Sequence, residues 1–152
     1  MGPLLALVAV ASCGSLQPLA RSSGAMLSNE GVLFAVVGQS CKQAPDPNRP
    51  GKSLLDVTFA IEVGNPTLDS LTVHRDRFLL MVSERTSVRT SSPDAVEPLA
   101  VESGTTGRFT LRYVAPGVSC THELQLDPSS VLELRGREIN VNAIRFVPVA
   151  PG

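Results

Sequence analysis

Tryptophan is missing from this chain of 152 residues, and tyrosine occurs once, as Tyr113. Aromatic platforms on which bases or sugar rings stack are therefore scarce. Charge is sparse too: 18% of the residues are charged and the net charge is -1. Nucleic-acid binding needs clustered Lys and Arg to displace counterions, so no nucleic-acid partner is expected. None of the three cysteines belongs to a CxxC pair, and the two histidines, His74 and His122, have no ligand spacing to a cysteine or to each other. The usual zinc patterns are thereby excluded, and neither a metal nor another cofactor is expected. No segment carries a sustained helical period with a cap and a following glycine, which argues against a helical fold.

What is present begins with an apolar run in LLALVAVASCGS, residues 4–15. Leu4 to Ala11 is shorter than the about 20 residues that span a bilayer and sits where the apolar region of an export signal sits. Val10, Ala11, Ser12 and Cys13 resemble a bacterial lipoprotein box, in which a branched apolar residue and two small ones precede a cysteine that receives lipid. Small residues let a signal peptidase close over an extended backbone, and the thiol becomes the thioether to diacylglycerol. On this reading residues 1–12 are a lipoprotein signal peptide and Cys13 is the mature N-terminus. Its acyl chains (palmitate) anchor the chain at ~0.8 kcal/mol per buried CH₂. The competing reading is a plain secretory signal cut after a small residue. Met1-Gly2-Pro3 carries no Lys or Arg, so the signal is atypical or the true start lies upstream. N-myristoylation fits less well, because the sixth position is Ala6 rather than Ser or Thr.

With Cys13 committed to lipid, Cys41 and Cys120 form an even pair that suggests a disulfide in an oxidising compartment. Such a bridge would close a loop of about 80 residues, worth about 4.5 kcal/mol in the chain-entropy account. Two buried free thiols are the alternative. Residues 13–30 read as a lipidated tether, polar and small with scattered apolar positions. After it comes a two-residue period. LDVTFAIEV puts Leu55, Val57, Phe59, Ile61 and Val63 on one face and Asp56, Thr58 and Glu62 on the other, the mark of a half-buried strand. RFTLRYV repeats the pattern with Phe109, Leu111 and Tyr113 inward, and HELQL extends it from His122 through Leu124 to Leu126. GVLFAVV, FLLMV, VLEL and INVNAIRFV are less regular strands, and PDPNRPG, GNPT, VAPG and LDPSS separate them as turns. About seven short strands predict an all-β antiparallel sandwich of two sheets over residues 31–149.

The order of these features is similar to that in a group of small bacterial lipoproteins and exported proteins of unknown function with an immunoglobulin-like sandwich domain. DVTFAIEVGNPT, DRFLLMV and VESGTTGRFTLRYV carry the resemblance, which covers roughly residues 31–147. It implies a fold and a setting outside the cytoplasm, not an activity. Gly14 rather than Asp after the lipidated cysteine implies the outer membrane, facing the periplasm or the cell surface. Antibody-type domains pack their core cysteine pair on a tryptophan that this chain lacks, so a Cys41–Cys120 bridge is not equated with theirs.

Catalytic chemistry is hard to place. Nucleophilic catalysis needs a base oriented by a third group. His74, in TVHRDR, reads as a solvated turn or strand edge, and His122 reads as partly buried beside Leu124. GTTG, residues 104–107, lacks the Lys and helix of a phosphate loop and reads as a turn. Asp94, Glu97 and Glu102 could form a carboxylate set but are better explained as solubilising a surface loop, and HRDR as a hydrated surface. The most distinctive exposed segment is SERTSVRTSSPDAVEP, residues 83–98, long for a connection inside a small sandwich. Binding residues commonly sit on loops of a rigid scaffold. Ser83, Glu84, Arg85, Arg89 and Asp94 are its candidate partner-binding residues, with an ordinary flexible insertion as the competing view; PDPNRPG is a second, weaker candidate loop. The expectation is a non-catalytic binding or accessory subunit that meets the membrane through its lipid and an envelope protein through its loops. An exported enzyme or enzyme inhibitor is the alternative, and no small-molecule ligand is indicated.

Overall fold

The computed structural model describes residues 16–18, 25–27, 30–119 and 122–148. Its strands in chain order are β1 (Leu16–Pro18), β2 (Ala25–Leu27), β3 (Leu33–Pro45), β4 (Ser53–Gly64), β5 (Leu71–Val73), β6 (Leu79–Met81) and β7 (Ser87–Arg89). They continue with β8 (Leu99–Val101), β9 (Thr106–Pro116), β10 (Leu124–Asp127), β11 (Leu132–Leu134), β12 (Arg137–Ile139) and β13 (Ile144–Pro148). Two 3₁₀ turns, Arg75–Arg77 and Pro93–Val96, are the helical pieces among the described residues. None of these helices is long and apolar enough to cross a membrane.

The strands form three antiparallel ladders in a sandwich-like arrangement that does not close into a barrel. Their orders are β2-β3-β4-β9, β1-β13-β10-β6-β7 and β12-β11-β5-β8. The seven strands expected from periodicity are all present, with INVNAIRFV divided between β12 and β13. The additional strands, and with them the third ladder, are three-residue pieces too short to show an alternation. Two of them, β1 and β2, lie within the stretch whose composition reads as a tether and add to the edges of two sheets.

β4 is the centre of the fold. Leu55, Val57, Phe59, Ile61 and Val63 are all buried, as their alternation dictates, while Asp56, Thr58 and Glu62 face outward. Each inward side chain contributes roughly 2 kcal/mol before the entropy of ordering is set against it. β3 departs from strict alternation because its pairing with β4 slips between Val36 and Gly38. Val37 is the extra residue and stands 56% exposed, so Phe34 and Val36 point inward before the bulge and Cys41 after it.

All the phenylalanines and the tyrosine meet in the interior. Phe34, Phe78 and Phe109 form one chain of ring contacts, and Phe146, Phe59 and Tyr113 a second. Phe109 is the one ring of the six that is only partly buried.

The two ends of the sandwich carry different turns. Residues 46–52 join β3 to β4, residues 82–86 join β6 to β7, and residues 117–123 join β9 to β10, all at one end. Register places both outer pieces of the chain there as well. Phe146 pairs with Leu124, so Pro148 and its partner Leu16 lie beyond Leu124 at this same end. The opposite end holds the turn after Gly64 and the turn before Thr106. Asn65 organises it from a buried position: its amide donates to the carbonyls of Asp69 and Val101, and its side-chain oxygen accepts from the Thr67 N–H and hydroxyl.

Candidate functional site

Three neighbouring strands of the five-stranded sheet set the floor of a groove. Cross-strand register aligns Met81 of β6, Gln125 of β10 and Arg145 of β13 in one row. Where these strands reach the end of the sandwich, the 82–86 turn forms one wall through Val82, Ser83 and Glu84. His122 and Glu123, leading into β10, form the other. The groove measures about 690 Å³ and is open to solvent. Two of its apolar members have their own commitments, since Leu124 and Val82 are buried in the core. Met81 and the hydroxyl, amide and charged side chains are left for a ligand.

Charge inside the groove is partly neutralised. Arg145 Nε donates to Glu123 Oε1 at 2.6 Å, and its Nη2 contacts the same oxygen. His122 is exposed and closes a turn: its backbone N–H donates to the Ser119 carbonyl at 3.1 Å. Its Nδ1 lies 3.1 Å from the Ser119 amide nitrogen, 3.1 Å from Ser119 Oγ and 3.2 Å from the Ser119 carbonyl. The partial burial expected for His122 is corrected by this geometry. β10 begins only at Leu124, so the alternation that buries Leu124 and Leu126 does not reach back to residue 122.

The segment 83–98 does not form one continuous loop, because it contains β7 and a 3₁₀ turn. Ser83 and Glu84 line the groove, and exposed Arg85 stands at the tip, where its backbone N–H donates to Ser83 Oγ. Residues 87–89 are β7, with exposed Arg89 opposite Leu79. The next residues are stitched to the edge of β9. The Ser91 N–H and the Thr90 hydroxyl donate to the Arg112 carbonyl, and the Arg112 N–H donates to Ser92 Oγ. Ala95 is buried, and Arg75 holds the 3₁₀ turn by donating from Nη2 to the carbonyls of Asp94 and Glu97 at 2.7 and 2.9 Å. Asp94 sits 3.4 Å from Arg75 Nη1, beside a separate depression with Val37 and Arg108. The structure thus brings Ser83 and Glu84 together with His122 and Arg145, and leaves Asp94 elsewhere.

Other sequence candidates resolve into structural roles. His74 Nε2 lies 3.1 Å from Glu133 Oε2 and is largely buried, a paired side chain rather than a solvated one. Arg75 of HRDR is turned inward, not hydrated. Glu102 bonds Ser70 and is not joined to Asp94, and among the described residues no group of three His, Cys, Asp or Glu could hold a metal. The 46–52 turn is rigid: Asp46 accepts from the Asn48 N–H at 2.9 Å and from Arg49 Nε at 2.8 Å, which together hold its carboxyl below the usual range. Cys41 is a buried free thiol, pushed up to about 11 by burial and, secondarily, by Asp56. Cys13 and Cys120 lie outside the described residues. Sequence reasoning missed the clamp of Arg75 and the Ser119–His122 contact. The S-x-x-H spacing of a turn was the available signal for the latter.

Sequence comparison finds no protein-family model and no curated protein that matches the chain. A fold comparison does find a relative in shape: the crystal structure of a functionally unknown protein from Listeria monocytogenes EGD-e. The two superpose with a TM-score of 0.58 over 91% of this chain and 90% of that one, at 15% sequence identity. A likeness at that identity shows a shared all-β fold and nothing of activity.

Proposed function

We propose that this protein is a lipid-anchored, non-catalytic binding or accessory subunit of the cell envelope, exported by residues 1–12 and held by lipid on Cys13. Its domain is an immunoglobulin-like sandwich, and its setting is the outer membrane, facing the periplasm or the surface. The groove between the 82–86 turn and residues 122–125 carries the reading. Its volume of about 690 Å³ is that of a ligand site, and it presents Ser83, Glu84, Gln125 and Arg145 from two strands and a turn of a rigid scaffold. An envelope protein that inserts a polar side chain or chain end into the groove fits this lining.

The test is partner retention after mild detergent extraction and cross-linking. Glu84→Lys and Gln125→Trp should each release a specific envelope protein while leaving the urea midpoint unchanged. Retention by both variants would overturn the proposal. An enzyme or enzyme inhibitor is the second reading, favoured by one observation, the 3.1 Å approach of Ser119 Oγ to His122 Nδ1. His74→Ala with His122→Ala should leave the biological role intact, and loss of function in a folded double variant would favour the enzyme.

A further inference from the structure

The end of the sandwich that carries the groove is also the end at which the chain leaves toward Cys13. Leu16 pairs with Pro148 beyond Leu124. Two residues, Gly14 and Ser15, lie between Cys13 and Leu16, and the three steps reach at most about 11 Å when fully extended. A lipid on Cys13 therefore holds this end close to the membrane surface. The far end lies about 36 Å away along the twelve residues of β4.

Free cations gather toward one end of the same axis. The chain has two lysines, Lys42 and Lys52, and both sit on β3 or the 46–52 turn toward the groove end. Lys52 and Arg85 are exposed and have no ion-pair partner among the described residues. The carboxylates nearby are mostly neutralised, Asp46 by Arg49 and Glu123 by Arg145, which leaves Glu84. Farther along the axis free charges of both signs mix: among the described residues Asp76, Glu102 and Asp127 are carboxylates without ion pairs, and Arg77 and Arg89 are exposed cations without them. A chain of net charge -1 thus carries a local excess of positive charge where the anchor pulls it.

The geometry points to the end bearing the 46–52 and 82–86 turns as a docking surface for the anionic headgroups of the membrane, so that the domain stands on the bilayer with its long axis upright. This rests on lipidation at Cys13. Surface potential decays over about 8 Å at physiological ionic strength, so it reaches Lys52 and Arg85 and not the far turns. Each cation so placed favours the docked arrangement about fivefold. A protein partner in the groove is then met at headgroup height.

The absence of tryptophan gives a direct test. Thr86→Trp places a single fluorophore at the docking end, and Leu68→Trp places one at the far end, where Leu68 is 94% exposed. Each lipidated protein is extracted from its native membrane, its intact mass is measured, and it is reconstituted in vesicles carrying headgroup-labelled quencher lipid, with and without phosphatidylglycerol. The expected result is acyl mass on a chain starting at Cys13 and strong quenching at position 86 but not at 68. Phosphatidylglycerol should raise that quenching, and Lys52→Glu with Arg85→Glu should cancel the rise. Acyl mass with equal quenching at both positions, or stronger quenching at 68, would overturn the orientation and leave the anchoring intact. Quenching at 86 that ignores both phosphatidylglycerol and the charge reversal would overturn the electrostatic docking. A chain without acyl mass removes the anchoring reading itself.

Discussion

The hydroxyl of Tyr113 donates to the carbonyl of Phe78 at 2.9 Å in the buried interior, joining β9 to the residue that leads into β6 on the other side of the sandwich. Burial pushes the phenol far above its ordinary range, so it stays a donor at any physiological pH. The bond also links the two groups of packed rings, one through Phe78 and the other through Tyr113 itself. Tyr113→Phe keeps the ring and removes the donor, leaving a buried carbonyl without its partner. A loss of about 1 to 2 kcal/mol is expected in urea unfolding, with an unchanged m-value.

Asn65→Ala should be costlier. The side chain satisfies two carbonyls, an N–H and a hydroxyl at once, and Asn65 is 2% exposed. Removing it strands several buried groups together, and a loss of about 3 kcal/mol is expected in the same assay. Asn65→Asp should cost at least as much at neutral pH, since it buries a carboxylate oxygen against the Asp69 and Val101 carbonyls.

Gly107 has no room for a side chain. A Cβ there would stand 2.6 Å from Val101 Cγ2 and 3.4 Å from Leu99 Cδ2. Gly107→Ala should therefore cost about 2 kcal/mol by overpacking β8 against β9. In a Val101→Ala background the same substitution should cost much less, a coupling that a double-mutant cycle on thermal midpoints reads directly.

Asp56 ties acid sensitivity to one ion pair. Arg112 donates to it through Nε at 2.9 Å and Nη2 at 2.7 Å, and these bonds hold its carboxyl below the ordinary value of 3.8. A depressed folded-state pKa means that the stabilisation is complete above the unfolded value and is lost as pH falls through the folded one. The contribution of this pair to the melting temperature should be flat from pH 5 to 8 and decline below about pH 4. Asp56→Asn should flatten part of that acid limb in a melting series across pH.

Cys41 should be slow to react. With its thiol pushed up to about 11, the reduced folded protein at pH 8 should alkylate it far more slowly than a free cysteine, and denaturant should abolish the protection. Intact masses with and without reductant read the Cys41–Cys120 pairing from the same samples.

The sequence made the centre of this fold legible and its margins obscure, for physical reasons. β4 and β9 span enough residues for a period of two to emerge, and the inward sets read from LDVTFAIEV and RFTLRYV are those that pack. A three-residue strand such as β5 or β8 shows no period, and its place is set by partners distant in sequence. β3 hid its length because the slip at Val37 reverses which parity faces inward. The groove is less legible still. Ser83 and Glu84 stood out as residues of an exposed loop, but Gln125 and Arg145 reach them only through the register of β6, β10 and β13. Arg75 read as one member of a charged run, whereas long-range contact makes it the clamp that fixes residues 94–97.

The pairing of β1 with β13 has a mechanical side. Leu16 is the outermost residue of its short strand, so a pull directed outward along the strand axis loads all its pairings with β13 in shear. A pull on the N-terminus is therefore borne by the β1–β13 bonds all together, as a lap joint carries load, instead of being peeled open one rung at a time. The domain can be tugged by whatever holds its first residues without the sheet opening from its edge.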